Sequence, residues 1–243
     1  VAGCGPAGLF AALRLARAGY RPLVFERDAS VNERHDDVLR FLSSRDLHPD
    51  SNFLFGAGGA GTYSDGKLYT RAHDPRVRCV IETFIEGGAP EDLRIDARPH
   101  VGTDRLHAVV AWICREIERL GGAIRWRTRL TGLEISDHRL AALRAGDERI
   151  ETNCLILATG ANGADTFAML RNAEVALEAK PFQMGLRIEH PRELIDRGVF
   201  GASAGHPRLG AADYVLSDGT ITAFCVCPGG TLVPAVSEAG CVC

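Results

Sequence analysis

The sequence predicts an α/β fold in which a parallel sheet and its helices form three layers, with an antiparallel meander attached. Three observations favour this fold. A glycine-rich turn at the start of the chain leads into a helical pattern, a short apolar run then ends on an acid, and several short strand-like segments precede a second apolar run. Turn, helix, strand and acid in this order are typical of the second half of a βαβ unit.

Composition narrows the classes of function. The chain of 243 residues is 46% hydrophobic and 24% charged, as in ordinary globular proteins. Its 28 basic and 31 acidic residues are interspersed, so we expect no nucleic acid partner. The apolar runs are shorter than the roughly 20 residues of a membrane helix, so we expect no membrane span. The cytoplasm is the expected compartment.

The first motif is "GCGPAG", in which Gly3, Gly5 and Gly8 fit the pattern G-x-G-x-x-G. Gly3 permits a tight turn, Gly5 lets the backbone approach a pyrophosphate, and Gly8 lets the helix pack closely. Pro6 suits the first helical turn, whose amides have no acceptor inside the helix. The motif predicts dinucleotide binding, and a purely structural turn is the alternative.

The residues after this turn support the dinucleotide interpretation. Apolar residues at helical spacing predict a helix from Pro6 to Ala18, and Gly19 stands where the helix ends. The run "RPLVFER" then predicts a strand with Glu26 at its end. An acid in this place accepts hydrogen bonds from both hydroxyls of an adenosine ribose.

A glycine-rich loop lies within an irregular excursion over residues 36–100. Its sequence "GAGGAGTYSDGKL" combines five glycines with hydroxyl and charged side chains. We expect a loop that faces a ligand, and a solvated glycine loop is the alternative.

The middle of the chain predicts a helix and then strands. Apolar spacing predicts a helix from Asp104 to Leu120, with Thr103 or Asp104 as its cap. The segments "AIRWRTRL", "TGLEI", "RLAALRA" and "ERIETNCLILATG" predict an antiparallel meander that leads into a buried strand.

That buried strand, from Cys154 to Ala158, is apolar throughout, which predicts a parallel strand covered on both faces. Thr159 and Gly160 then fall at the carboxyl edge of the sheet, where open α/β sheets bind ligands. A simple strand terminator is the alternative.

The pattern changes after Met169. Strand-like alternation in "QMGLRIEH" without a further βαβ signal places a domain boundary near Leu170. Residues 1–170 are expected to form the first domain, and residues 171–243 part of a second, mixed α+β substrate domain.

Six segments taken together resemble a known family: "GCGPAGLFAALRLA", "GGAGTYSDGKLYT", "PHVGTDRL", "LILATGANGADTFAML", "EAKPFQMGLRIEHP" and "FCVCPGG". They resemble the FAD-dependent dehydrogenases related to the glutathione-reductase-type flavoproteins, and within them a bacterial branch of undefined substrate. The resemblance implies a Rossmann-like FAD-binding domain with FAD as the cofactor.

The resemblance also implies where the cofactor binds. Lys67 would place a positive charge beside the flavin, where reduced anionic flavin needs stabilising, and is a candidate catalytic residue. The implied cofactor-binding residues are Gly3, Gly5, Pro6, Ala7, Gly8, Glu26, Arg27, Ser64, Asp65, Gly66, Lys67, Leu130, Ala158, Thr159 and Gly160.

The sequence departs from this family at both ends. It starts inside the first turn without the residues of a first strand, and it stops before the family's last glycine-rich segment. We therefore expect the chain to be a fragment.

The eight cysteines leave several interpretations open. Cys79, Cys114 and Cys154 stand in apolar stretches and predict reduced, buried thiols. Cys225 and Cys227 form one C-x-C pair, and the last residues, "GCVC", form another. Structural thiols are expected, a redox role that makes Cys227 a candidate catalytic residue is an alternative, and a zinc site with four thiols is the least favoured.

The second domain offers candidate substrate residues. If "GLRIEHP" is a strand, Arg187 and Glu189 share one face, and Arg187 and His190 are candidates for binding an anionic substrate. A solvated strand face is the alternative. The sequence thus predicts a flavoenzyme that transfers a hydride or an electron pair between a small molecule and FAD, with NAD(P)H as a candidate donor. A dinucleotide sensor and a nicotinamide-only dehydrogenase are the rival functions.

Overall fold

The protein's structure is a computed structural model that describes residues 1–64, 66–68, 70, 73–96, 101–160, 163–182, 185–186, 188–223, 226–227, 234, 236 and 240. The chain divides by its contacts into two compact units. The first is Val1–Ala179 with Ala235–Val242, and the second is Lys180–Pro234 with Cys243. Together they contain helices and small sheets, so the fold is of the mixed α/β type.

Parallel strands form the centre of the first unit. Strand β1, Leu23–Phe25, pairs in parallel with β2, Ala123–Arg125. Ala2 forms parallel bridges to Phe25 on one side and to Leu157 on the other. The chain start therefore lies between β1 and the segment around residue 157, and the ends of these strands meet at one edge.

The described residues of the first unit form five α-helices. They are α1 Pro6–Arg17, α2 Val31–Ser44, α3 Arg76–Glu86, α4 Thr103–Arg119 and α5 Ala164–Asn172, with short 3₁₀ helices at Ala60–Tyr63 and Glu91–Arg94. The helix predicted over 6–18 is confirmed as α1, which ends where Gly19 adopts a φ of +85°.

Helices α1 and α4 pack on the parallel strands to make the main core. Leu9 and Leu13 of α1 are buried, as are Ile113 and Ile117 of α4, and Val24 of β1 joins the same cluster. Each is at most 2% exposed, so the apolar faces that the sequence predicts for α1 and α4 are the faces buried in the core.

The predicted cap of α4 was wrong. The N-cap is Gly102 in place of Thr103 or Asp104, and its carbonyl accepts the hydrogen bond from Leu106 N. Gly102 has a φ of +86°, a conformation that glycine adopts without steric cost.

The meander is confirmed in part. Strands β3, Leu130–Ser136, β4, Arg139–Ala145, and β5, Glu148–Glu151, form an antiparallel sheet in that order. The prediction was wrong for "AIR", because β2 pairs in parallel with β1. The helix α4 leads directly into β2, and a helical crossover is the connection that parallel strands need.

The segment Cys154–Ala158 is parallel as predicted, but its predicted burial was wrong. Ala2 N donates to Ile156 O (2.9 Å) and Ala158 N to Ala2 O (2.8 Å). Ile156 and Leu157 are nevertheless 38% and 37% exposed, and Cys154 is exposed. Among the described residues, this segment pairs only on the side of Ala2.

Of the three cysteines predicted to be buried, only Cys114 is. Cys79 and Cys154 are exposed. Cys79 lies on α3, which packs Ile81, Phe84 and Ile85 against the core, and Cys79 itself is on the exposed side of that helix.

The second unit contains α6, Arg192–Phe200, a 3₁₀ turn at Gly201–Ser203, and the antiparallel pair β6, Leu216–Ser217, and β7, Thr222–Ala223. The predicted strand over "QMGLRIEH" is wrong for its described residues, which form no strand. Leu186 is 95% exposed there, with no described strand beside it to pair with. No helix in the described part of either unit is long and apolar enough to cross a membrane.

Candidate functional site

A cleft of about 350 Å³ opens at the glycine turn of the first unit. Its walls come from the turn, the end of β1, the glycine loop, the start of β3 and the segment after residue 157. The predicted cofactor residues that line it are Gly3, Gly5, Pro6, Ala7, Glu26, Arg27, Leu130, Ala158, Thr159 and Gly160.

The three glycines of the turn differ in the space around them. Gly3 has a φ of +100°, and a Cβ there would stand 2.4 Å from Ala158 O. A Cβ on Gly8 would stand 1.9 Å from Gly3 O, so α1 lies too close to the turn for any side chain at this position. Gly5 has no atom within 4 Å of an added Cβ. The open side of the turn is therefore at Gly5, which lines the cleft.

The turn also exposes the start of a helix to the cleft. Gly5 is the N-cap of α1, with no side-chain cap, and Pro6 and Ala7 follow it along the wall. Amides of a first helical turn lack intrahelical acceptors and form the positive end of the helix dipole. An anion that enters the cleft at Gly5 would meet these amides.

Glu26 links the glycine turn to the end of β1 through hydrogen bonds of its carboxylate. It is 6% exposed, its Oε2 accepts a hydrogen bond from Cys4 N (2.5 Å), and its Oε1 accepts one from Asp28 N (3.0 Å). Each carboxylate oxygen can accept a further hydrogen bond. Glu26 is thus a structural residue that also borders the cleft.

Two arginines of the cleft wall share one carboxylate. Arg27 Nη2 lies 2.7 Å from Asp165 Oδ2, and Arg129 Nη2 lies 2.6 Å from the same atom. Asp165 is in the first turn of α5. Burial raises its pKa, but the two arginines outweigh burial and hold the pKa of Asp165 below its ordinary value. This cluster was missed because its members are far apart in sequence.

The glycine loop packs on the glycine turn. Gly58 N donates to Cys4 O (2.8 Å), and a Cβ on Gly59 would stand 3.0 Å from Cδ of Pro6. Gly56, Gly59 and Ala60 line the cleft. The part of the loop around Gly58 is therefore packed against a cleft wall and is buried.

A buried arginine lies behind this loop. Arg34 of α2 is 1% exposed, and its guanidinium donates to the backbone carbonyl of Ala57 in the loop (2.6 Å) and to that of Asn52 before the loop (2.9 Å). The sequence analysis missed Arg34. The feature of the sequence that could have indicated its burial is its position between Val31 and Val38 on the buried face of α2.

Asp28 is the buried acid beside Arg34. Its Oδ2 lies 3.9 Å from Arg34 Nε, and finds no hydrogen-bond donor among the described residues. Burial raises the pKa of Asp28 to about 7, against the lowering effect of its hydrogen bonds and of Arg34.

Of the predicted flavin-facing residues, those that the structure describes do not line this cleft. Ser64 donates from its hydroxyl to Gly61 O (2.7 Å), and its Oγ accepts from Gly66 N (3.1 Å). Lys67 is partly buried, and neither it nor Ser64 or Gly66 lines the cleft. Asp65 lies outside the described residues.

Two further predicted residues, His190 and Cys227, belong to the second unit. His190 Nε2 is 3.2 Å from the hydroxyl of Tyr214, and Cys227 is exposed. Arg187 and Cys225 lie outside the described residues, as do Cys241 and Cys243. Within the described chain, no cluster of His, Cys, Asp and Glu side chains is suited to a metal ion.

Solved structures resemble this chain only weakly. THI4 from Thermovibrio ammonificans is 16% identical, with a TM-score of 0.48 over 72% of this chain and 62% of that one. A 3-ketosteroid dehydrogenase from Rhodococcus jostii is 15% identical, with a TM-score of 0.39 over 61% of this chain and 42% of that one. Similarities at this level carry no argument about fold or function.

A Clostridium beijerinckii protein, described as uncharacterized, is 43% identical over 99% of this chain. The chain spans 46% of that relative's length. Residues 181–243 match the family model described as FAD-dependent protein, C-terminal domain-like. This match supports FAD as the cofactor.

Proposed function

We propose that the protein is an FAD-dependent oxidoreductase that transfers a hydride or an electron pair between a small-molecule substrate and FAD. The observation that carries the proposal is the cleft at the glycine turn, with its open space at Gly5. The match of residues 181–243 to an FAD-dependent family supports the choice of FAD over another dinucleotide.

The residues of the cleft fit a dinucleotide. A Cβ would fill the open space at Gly5, so glycine there leaves room for a phosphate group close to the backbone. The start of α1 faces the same space with amides that lack intrahelical acceptors. A pyrophosphate carries negative charge and acceptor oxygens, and both suit this place.

The remaining walls suit the adenosine half of such a cofactor. We propose that Glu26 accepts hydrogen bonds from the ribose hydroxyls with the acceptor capacity that Cys4 N and Asp28 N leave. We assign the backbone of Leu130 to the adenine ring and the turn at Thr159 to the neighbouring part of the cofactor, since both line the cleft.

FAD, when bound, supplies the hydride or electron-pair chemistry. The residues of this chain would bind it, orient it and set its charge environment. Lys67 is proposed to place a positive charge beside the flavin, with Ser64, Asp65 and Gly66 beside it on the same loop. This part of the proposal rests on the sequence pattern "TYSDGKL".

Several finer features stay proposals. They are a complete Rossmann arrangement, the glutathione-reductase type of flavoprotein, a domain boundary near Leu170, and a cytoplasmic, bacterial setting. Arg187 and His190 remain candidate substrate residues, Cys227 a candidate redox thiol, and NAD(P)H a candidate electron donor.

The test is the visible absorption spectrum of the purified protein, followed by identification of any pigment released by heat. We expect a flavin spectrum and released FAD. A colourless protein that takes up no FAD on reconstitution would overturn the proposal and favour a nicotinamide dehydrogenase or a nucleotide sensor. Release of FMN would contradict the adenosine site at Glu26.

A further inference from the structure

We propose that Arg34 is the positioning residue for the loop segment of residues 52–59, which includes the first four residues of the glycine loop, and that it gives this segment the shape with which it lines the cleft. Its importance for cofactor binding rests on the proposed function above. Its importance for the loop itself does not, and the two can be tested separately.

The contacts of Arg34 concentrate on the loop backbone. Its Nε and Nη2 donate to Asn52 O (3.1 and 2.9 Å), and Nη2 also reaches Phe53 O (3.3 Å). Its Nη1 donates to Ala57 O (2.6 Å) and Gly59 O (3.0 Å). One side chain therefore binds carbonyls at both ends of the loop and fixes the distance between them.

The loop has no strand or helix of its own to satisfy these carbonyls. A backbone carbonyl that is buried without a donor costs free energy, so such groups are nearly always paired. Gly56, Gly58 and Gly59 all have positive φ angles, and glycine-rich backbone loses much conformational entropy when it is ordered. Arg34 offsets this cost with several hydrogen bonds from a charged donor.

An arginine suits this role better than a lysine. The planar guanidinium has five N–H donors in a fixed fork, whereas an ammonium group has three donors around one point. The carbonyls of Asn52 and Ala57 bind different nitrogens of that fork. A lysine would keep the charge and still leave part of this set without a donor.

The neighbours of Arg34 make its burial possible. Asp28 Oδ2 lies 3.9 Å from Arg34 Nε, and the guanidinium carbon lies 4.9 Å from the centre of the Tyr63 ring. An acid and an aromatic face both stabilise a cation that has lost its water.

The loop held in this way is a wall of the cleft. Leu54, Phe55, Gly56 and Gly59 line the cleft directly, and Gly58 bonds to the glycine turn through Cys4 O. Arg34 itself does not line it. It therefore acts through the loop, and its substitution should change the cleft without removing a group that contacts the cofactor.

The test compares Arg34→Lys and Arg34→Met with Arg40→Lys and Arg40→Met. Arg40 lies on the same helix, its side chain is about half exposed, and it pairs with the buried Asp37, so it is the control for the loss of a paired arginine from α2. Backbone hydrogen exchange is measured without FAD, and FAD affinity is measured by titration.

We expect amides of residues 53–60 to exchange at least about tenfold faster in the Arg34 variants, the equivalent of losing one hydrogen bond to a charged group. Core amides of α1 and α4 should keep their protection, and FAD should bind at least about tenfold more weakly for the same reason. The Arg40 variants should match the wild type in both measurements.

Two results would overturn the proposal. Loop exchange in Arg34→Lys within about twofold of wild type would show that Arg34 does not order the loop, since a lost charged hydrogen bond predicts more. Faster loop exchange with unchanged FAD affinity would show that the loop's shape does not matter for the cofactor.

A further measurement covers the case in which no Arg34 variant folds. In the wild-type protein, NMR of the arginine side chains should show the Nε proton of Arg34 exchanging far more slowly than that of Arg40. Equal exchange would overturn the proposal. If the wild-type protein binds no FAD, the proposed function fails, and the exchange measurements still decide whether Arg34 orders the loop.

Discussion

The substitution Gly5→Ala separates binding from folding in this site. Gly5 has φ −70° and ψ −178°, which any residue adopts, and an added Cβ has no atom within 4 Å. Alanine should gain about 0.4–1 kcal/mol by restricting the unfolded chain. It is a poorer N-cap than glycine, which costs a similar amount, about 0.5–1 kcal/mol. We therefore expect the free energy of unfolding to change by less than about 1 kcal/mol.

The effect on cofactor binding should be much larger. The added methyl group would stand in the space where a phosphate approaches the backbone, because that side of Gly5 is open to the cleft. Loss of one hydrogen bond to a charged group costs about 1.5–3 kcal/mol, which corresponds to an increase in Kd of about 10- to 150-fold.

The assay titrates FAD into the apoprotein, follows the fluorescence of free FAD, and compares Tm by calorimetry. Gly61→Ala is the matched control, because Gly61 also has no atom near an added Cβ and does not line the cleft. Gly8→Ala is the opposite case, since its Cβ would stand 1.9 Å from Gly3 O and α1 would have to move. Wild-type affinity in Gly5→Ala would refute the placement of the dinucleotide, and a large loss of Tm would refute the reasoning from open space.

Three other substitutions test the electrostatics of the first unit. Asp165→Asn should lower the free energy of unfolding by at most about 1 kcal/mol, because its arginine pairs are partly exposed, and a difference that persists in 1 M salt would contradict an ionic origin. The pKa of Asp28 is about 7 in the folded protein against an ordinary 3.8, so the folded state holds the proton more tightly. Wild-type stability relative to Asp28→Asn should therefore fall as pH rises from about 4 to 7 and then level, and a flat difference in denaturation free energies would refute this. Lys67→Ala should make the reduction potential of bound flavin more negative, because a cation stabilises the reduced anion, and an unchanged potential would remove Lys67 from the flavin site.

The parts of the fold that sequence reasoning found depend on neighbours in the chain. The turn, α1 and β1 follow one another within the first 25 residues, and each has a local pattern of glycines or apolar spacing. The meander of β3 to β5 is local in the same way. The cleft residues of the turn could be predicted because they belong to the same local glycine pattern as the turn itself.

The missed features depend on residues that are distant in sequence. Asp165 binds Arg27, which lies 138 residues earlier, and no local pattern indicates that pair. The burial of Cys154–Ala158 depends on whether a further strand lies beside the segment, which an apolar run does not reveal. Arg34 was also missed, although its signal is local: it stands between Val31 and Val38 on the buried stripe of α2, a helix that the sequence analysis did not predict.

The backbone of Cys4 connects the parts of the cleft. Its N–H donates to Glu26 Oε2, and its carbonyl accepts from Gly58 N. Its thiol is buried, and a hydrogen bond with Cys114 together with burial raises the pKa of Cys4 well above its ordinary value, which disfavours the thiolate form. Cys4, the residue between Gly3 and Gly5, therefore contributes its backbone and not its thiol to the site. A shift of the glycine loop that moves Cys4 would also move the N–H group that donates to Glu26, so the loop that Arg34 holds and the acid at the end of β1 are coupled through Cys4.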